Sequence, residues 1–235
     1  MNLKELKMHD LIQISIEAGQ EIMKIYFKDF NVELKADESP LTEADKAANT
    51  VIVNALKQLY PNIPIISEEN KLLEYEERRD WEWCWLVDPL DGTKEFIKKN
   101  GEFTVNIALI HHNTIAAGVV FVPAQNKVFY ATKGQGAFLI DNGSEPQLLN
   151  IRPLAVDGKL KVVGSRSHNS KEVDDYVDSL RSKFNDIEFV AAGSSLKFCL
   201  IAEGKADVYP RLAPTMEWDT GAGQIVASEA GAEVL

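Results

Sequence analysis

Cysteine is nearly absent from this 235-residue chain: Cys84 and Cys199 are the two, and neither has a CxxC or Cys/His partner pattern. That excludes a disulfide framework and a cysteine-ligated zinc site, and leaves free thiols suited to a reducing compartment. Long apolar runs are missing as well, since the longest, Ala116–Ala124, is far too short to cross a bilayer. The opening MNLKELKMHD holds no apolar signal core, so the expected location is cytoplasmic. Peripheral contact with the inner membrane and a homodimer stay open. Basic residues are outnumbered, 25 Lys and Arg against 36 Asp and Glu, for a formal net charge of -11. With no basic stripe, such a chain disfavours nucleic acid and anionic membrane as partners.

What remains is an ordinary globular composition, 45% hydrophobic and 26% charged, long enough for a large core. Residues 3–28 read as a helix with the stripe Ile12, Ile16, Gly19, Met23 and Tyr26. A short strand is expected within 31–36. Thr42 and Asp45 make a capping-box start for a helix burying Ala48, Val51, Ile52, Ala55 and Leu59. Pro64–Ser67 enters a strand, and Glu68–Glu82 reads as an acidic irregular segment. Trp81, Trp83 and Trp85 alternate and are expected to share one core-facing strand face.

Four strands follow, Thr104–Ile110, Thr114–Val122, Lys127–Thr132 and Gly136–Ile140, separated by turn residues as in an antiparallel meander. The loop Asp141–Gln147 is the expected boundary between an N-terminal lobe, about 1–145, and a C-terminal lobe, about 146–235. The second half alternates. Strands Lys159–Val163, Ile187–Ala191 and Ala206–Tyr209 are interleaved with helices from Ser170, to Ala202 and from Asp219 to Ala230. The fold class is therefore α/β with covered sheet faces.

The stretch WLVDPLDGT, Trp85 to Thr93, places Asp88 and Asp91 together at the end of an apolar strand. Like charges so close repel, and a hard cation among them would compensate. Asp45, the Glu68-Glu69 pair and Asp219 also sit at strand ends or helix starts, positions that converge on one crevice. Mg²⁺ prefers such oxygen ligands together with a substrate phosphate. Read singly, Asp45 is an N3 capping carboxylate, Glu69 a solvated charge, Asp88 a turn cap and Asp219 a helix N-cap.

Asp88-Pro-Leu-Asp-Gly-Thr93, with Trp218-Asp-Thr-Gly-Ala-Gly-Gln-Ile-Val-Ala-Ser-Glu-Ala-Gly231, resembles the two signatures of the inositol monophosphatase superfamily, and Ser67-Glu-Glu69 falls at the matching spacing. Thr93-Lys-Glu-Phe96, Gly164-Ser-Arg-Ser-His168, Gly193-Ser-Ser-Leu-Lys-Phe-Cys199 and Glu203-Gly-Lys-Ala-Asp-Val-Tyr-Pro-Arg211 resemble its CysQ-like branch of 3'(2'),5'-bisphosphate nucleotidases. The resemblance implies a layered α-β-α-β-α sandwich with the metal site between two lobes. It implies a lithium-sensitive enzyme that converts 3'-phosphoadenosine 5'-phosphate (pAp), a by-product of sulfate assimilation, to AMP and phosphate. Inositol 1-phosphate or another small phosphomonoester is the alternative substrate, and an inactive phosphonucleotide-binding regulator a third reading.

In that family frame two or three Mg²⁺ would be held by Glu68, Asp88, the Leu90 carbonyl, Asp91 and Asp219. Thr93, with Asp45 or Glu68, would orient the attacking water, and no side-chain nucleophile is needed. Gly92, Thr93, Ser165, His168, Ser195, Lys197, Glu217 and Asp219 would face the substrate. The loops after Val163 and Ala192 are expected to offer amide donors to anions. Ala232 stands where a second glycine commonly follows Glu-Ala-Gly, and family members run on past the position of Leu235, so the resemblance implies truncation at the C-terminus.

Overall fold

Apolar residues recurring every three or four positions build helix α1, Met8–Tyr26, after a separate 3₁₀ turn at Leu3–Glu5. The computed structural model describes residues 3–28, 32–34, 40–71, 73–151, 154, 159–165 and 170–235. The buried face of α1 is Leu11, Ile14, Ala18, Ile22 and Tyr26, with Gly19. Of the expected stripe, Ile12, Ile16 and Met23 are only half-buried. The apolar arc is wide enough for either stripe, and the sheet selects the one that lets Gly19 meet Phe121, where an added Cβ would lie 2.3 Å from the ring.

Strands β1, Val32–Leu34, and β2, Pro40–Thr42, pair as an antiparallel ribbon. Thr42 then caps helix α2, Glu43–Leu59, through the expected capping box with Asp45. Ala48 and Ile52 are buried as expected and Val51 and Ala55 half-buried. Leu59, at the last turn, is 46% exposed. Strand β3, Ile65–Ser67, follows, and the acidic segment forms a short helix, α3, Tyr75–Arg78.

Strand β4, Trp83–Asp91, leads through Gly92 into helix α4, Thr93–Ile97. The meander is present as β5 (Thr104–His111), β6 (Thr114–Val122), β7 (Lys127–Thr132) and β8 (Ala137–Asp141). It gains β9, Gln147–Leu149, just past the loop read as a boundary. The seven strands run in the order β3 to β9, antiparallel except for the parallel β3–β4 pair.

Successive strand residues face opposite ways. Trp83, Trp85 and Val87 pack with α1 and α2, whereas Leu86 belongs to the core on the other face. Trp81 precedes β4 and packs on that second core, so it does not share the face of Trp83 and Trp85. The second face is covered by helix α7, Glu217–Glu229, through Trp218, Ala222, Ile225 and Val226. A helix from the chain's second half thus roofs the sheet of its first half.

The second sheet is the parallel pair β10 (Lys159–Gly164) and β11 (Asp186–Ala191), linked through helix α5, Lys171–Leu180. Helix α6, Leu196–Ala202, lies beside α7. Val163 and Ala192 pack with Ile201 and Ala227 on one side of this pair, and Leu160 and Val162 with Val177 and Leu180 on the other. The layers are thus α1/α2, large sheet, α6/α7, small sheet, α5, as the fold expectation required. The strand expected at Ala206–Tyr209 is reduced to one bridge, Val162 to Val208. Gly204 at φ +66 on one side and Pro210, which has no N–H to donate, on the other leave no room for a longer ladder.

Gly118 sets the distance between β6 and α7: a Cβ there would sit 2.7 Å from Ile225 and 2.9 Å from the Ala222 Cα. Gly118→Val should overpack this contact and destabilise by about 1–3 kcal/mol. At this chain length that lowers Tm by roughly 2–12 °C, read by thermal melt. An unchanged Tm would show that α7 can shift without penalty.

Candidate active site

The parallel pairing of β3 and β4, with Ser67 opposite Val87, brings both carboxyl ends to one edge. Glu68 follows Ser67, donates its N–H to the Val87 carbonyl at 3.1 Å, and its side chain hydrogen-bonds Asp88. Asp88 is 1% exposed, and its Oδ1 accepts the Leu90 N–H at 3.0 Å. Burial, reinforced by the charges of Glu68, Asp91 and Asp219, pushes the Asp88 carboxyl well above the usual range.

Asp91 accepts the Ser195 N–H and, at 2.8 Å, its Oγ–H, with Asn106 Nδ2 at 3.4 Å. Burial raises its carboxyl to about 6, although Lys197 and the Ser195 hydrogen bonds pull the other way. Asp219 is the N3 residue of α7, not the N-cap; Met216 takes that place. Its Oδ2 accepts the Met216 N–H at 3.1 Å and the Thr215 hydroxyl at 2.8 Å, which orients the carboxylate at the helix start.

Asp45 divides its two oxygens. Oδ2 accepts the Thr42 N–H at 2.7 Å and hydroxyl at 2.6 Å, completing the cap, while Oδ1 faces the Thr93 hydroxyl at 3.1 Å. The capping and site readings of Asp45 are therefore compatible. Burial raises its carboxyl in spite of these hydrogen bonds. Gly92, at φ +91, makes the left-handed turn that delivers Thr93 from the strand end.

The Gly193–Lys197 loop departs from expectation. Three of its amides are already engaged: Gly193 donates to Glu102 at 2.9 Å, Ser195 to Asp91, and Leu196 to Ser194 Oγ. Lys197 is 7% exposed, donates a hydrogen bond to the Ser194 carbonyl at 2.6 Å, and sits 5.5 Å over the Tyr209 ring. Burial lowers its pKa while the charge of Asp91 acts the other way. Lys197 thus lines the cleft with its ammonium held by the Ser194 carbonyl.

Ser165 lines the same small cleft as Asp91, Gly92, Ser195, Lys197 and Asp219. Glu217 does not: it lines a separate groove of about 700 Å³ with Trp81 and Cys84, where burial, and after it the Glu217 charge, raises the Cys84 thiol. That groove is the larger, but the converging carboxylates lie in the smaller cleft, and chemistry follows the carboxylates. His168 lies outside the described residues, as does Arg166.

One participant was not singled out from sequence. Asn106, opposite Asp88 in the β4–β5 ladder and 1% exposed, donates to Ser195 Oγ at 2.9 Å as well as to Asp91. A polar residue inside the apolar strand Thr-Val-Asn-Ile-Ala-Leu-Ile was the available signal, because a buried amide needs partners. Arg211, which ends the CysQ-like stretch in the sequence, is exposed, lines the cleft with Lys197, and donates to the Pro214 carbonyl at 3.1 Å.

Glu68, Asp88, the Leu90 carbonyl, Asp91 and Asp219 form an all-oxygen donor set, the chemistry of a hard divalent cation. Asn106 Oδ1 and Thr104 Oγ1, buried beside them, have no protein partner. Among the described residues, the trio of His, Cys, Asp or Glu ligand atoms within 4.8 Å of one another is Glu82, His111 and His112, which lies outside this set.

The inositol monophosphatase family model matches residues 4–235. The 3'(2'),5'-bisphosphate nucleotidase CysQ of Escherichia coli is 47% identical over 226 residues, 94% of this chain and 87% of that protein. The protein of that name from Haemophilus influenzae is 35% identical over 97% of this chain and 84% of its own length. Among solved structures, CysQ from Bacteroides thetaiotaomicron superposes with a TM-score of 0.83 at 42% identity, covering 95% of this chain and 86% of that one. Layer order, site geometry and these likenesses agree, and the chain belongs to the inositol monophosphatase family.

Proposed function

We propose that this protein hydrolyses the 3'-phosphate of pAp to give AMP and inorganic phosphate. The observation that carries this reading is the carboxylate set at the β4 end, Asp88 buried and Glu68, Asp91 and Asp219 half-buried, with the Asp45–Thr93 pair beside it, in a chain 47% identical to proteins named bisphosphate nucleotidase. Mg²⁺ is the cation that the all-oxygen donor set favours. Lithium inhibition, a two-lobe division near residue 145 and a reducing cytoplasmic setting belong to the same proposal, the last supported by Cys84 and Cys199 both being free thiols. Among the described residues no helix is long and apolar enough to cross a membrane.

Bound among Glu68, Asp88, the Leu90 carbonyl, Asp91 and Asp219, divalent ions supply a lowered water pKa and neutralise phosphate charge. The protein's own part is positioning and proton handling. Thr93 directs its hydroxyl proton toward Asp45 Oδ1, leaving an Oγ lone pair to hold the attacking water. Asp45, its basicity raised by burial, takes the proton that the water releases through Thr93. Ser195 and Asn106 fix Asp91, and Lys197 balances its charge. Neither cysteine competes as a nucleophile, since Cys199 is buried and the Cys84 thiol, in the other groove, is pushed up to about 11.

The second phosphate of pAp calls for a cation that the reacting phosphate does not use. Arg211, exposed in the cleft lining, meets that need, because the buried Lys197 ammonium is held by the Ser194 carbonyl. Arg211→Ala should lower kcat/KM on pAp by about tenfold, some 1.4 kcal/mol, and leave inositol 1-phosphate nearly unchanged. Lys197→Ala should slow both substrates alike. If Arg211→Ala slowed both equally, the exposed guanidinium would have no part in choosing the bisphosphate. The retained Asp45–Thr93 pair and complete carboxylate set argue against an inactive regulator.

A further inference from the structure

Strand β5 ends in His111, and His112 begins the turn into β6. Neighbouring residues of an extended strand point to opposite faces, so two adjacent histidines normally cannot converge. Here His112 adopts φ +54, and its N–H donates to the Glu82 carbonyl at 2.7 Å. The two imidazoles then lie with centroids 4.4 Å apart. His112 is the first residue of the two-residue turn that joins β5 to β6, His111 pairing with Thr114, and tight hairpin turns of this length take positive φ at a central residue, so the turn itself swings the second imidazole toward the first.

Glu82 completes the group. Its Oε1 lies 3.4 Å from His111 Nε2, and one ligand atom from each of Glu82, His111 and His112 falls within 4.8 Å of the others. Trp83 braces two of the three. Its ring stacks on His111 at 4.0 Å and 17°, and its indole N–H donates to Glu82 Oε1 at 3.2 Å. The group remains open to solvent, with the His111 side chain 39% and Glu82 60% exposed.

We propose that Glu82, His111 and His112 form a second metal site, for a borderline divalent transition ion such as Zn²⁺ or Cu²⁺. Two imidazole nitrogens and a carboxylate suit these ions and not Mg²⁺, which demands oxygen ligands. Three protein ligands leave a fourth position to water. The site is separate from the aspartate cleft, because Trp83 and Asp88 are roughly 17 Å apart along β4.

The test is Zn²⁺ titration by calorimetry and Cu²⁺ electron paramagnetic resonance on the full chain, with Mg²⁺ in excess to keep the oxygen site filled. One Zn²⁺ per chain and nitrogen coupling from two imidazoles are expected. His112→Asn preserves the left-handed backbone, since asparagine tolerates it, and removes one ligand. It should lose one nitrogen coupling and weaken Zn²⁺ binding at least about tenfold. pAp hydrolysis in Mg²⁺ and Tm should be unchanged. Glu82→Gln should also weaken Zn²⁺, whereas His9→Gln should not. No Zn²⁺ binding in excess Mg²⁺, a copper spectrum without nitrogen coupling, or Zn²⁺ affinity indifferent to both His112→Asn and Glu82→Gln would overturn the assignment.

Discussion

Asp91→Asn is expected to slow pAp hydrolysis by roughly a thousandfold or more, at least about 4 kcal/mol of transition-state stabilisation. The substitution keeps a side-chain oxygen to accept from the Ser195 N–H and hydroxyl, so the local structure should persist. What it removes is one charge from the donor set. The stability consequence has the opposite sign. The Asp91 carboxyl titrates near 6 in the metal-free fold, above its ordinary value of about 3.9 in an unfolded chain. The folded state therefore binds more protons between about pH 4 and 6, and that stability is lost as pH rises through the window. Above it, Asp91→Asn removes a buried charge held at a disadvantage. Metal-free Asp91→Asn at pH 7.5 should melt no lower than the parent. A near-normal rate would reduce Asp91 to a turn anchor, and a collapsed Tm would make the rate loss a folding defect.

The Asp45–Thr93 pair carries the second large effect. Thr93→Val removes the hydroxyl while keeping a β-branched side chain, and should lower kcat by about 10²–10⁴, the range of a positioned proton-transfer group. Asp45→Asn should fall in the same range, because the amide can still accept the Thr42 N–H for the cap but cannot take a proton. Thr93→Ser should retain most of the rate. All three should bind Mg²⁺ with little change, which separates water orientation from metal holding. If Asp45→Asn left kcat within threefold, its role would end at the helix cap.

Local pattern told most where local physics decides. The strands from Thr104 to Asp141 were legible because alternation and turn residues are properties of neighbouring positions. Asp88 and Asp91 stood out because two carboxylates on one turn need a reason. The Thr42–Asp45 box was legible too, but that Asp45 lends its second oxygen to Thr93 depends on a partner 48 residues away. The same blindness misread the Gly193–Lys197 loop. Gly-Ser sequence announces free amides, yet Glu102 and Asp91, 91 and 104 residues distant, occupy those of Gly193 and Ser195. Glu217 precedes Trp218-Asp219 in sequence and still faces another groove, since adjacent residues on a helix point about 100° apart. The stripe of α1 was ambiguous for a related reason: both candidate faces are apolar, and the shape of the sheet chose between them.

The most direct measurement is phosphate release from pAp and from inositol 1-phosphate, compared as kcat/KM in Mg²⁺, with and without chelator. Protein groups beyond those at the reacting phosphate, Arg211 first, should turn binding energy from the second phosphate into rate. The account predicts that pAp exceeds inositol 1-phosphate by at least about tenfold, that AMP is the nucleotide product, and that chelator abolishes both activities. Equal kcat/KM on the two substrates, or undiminished turnover in excess chelator, would contradict it.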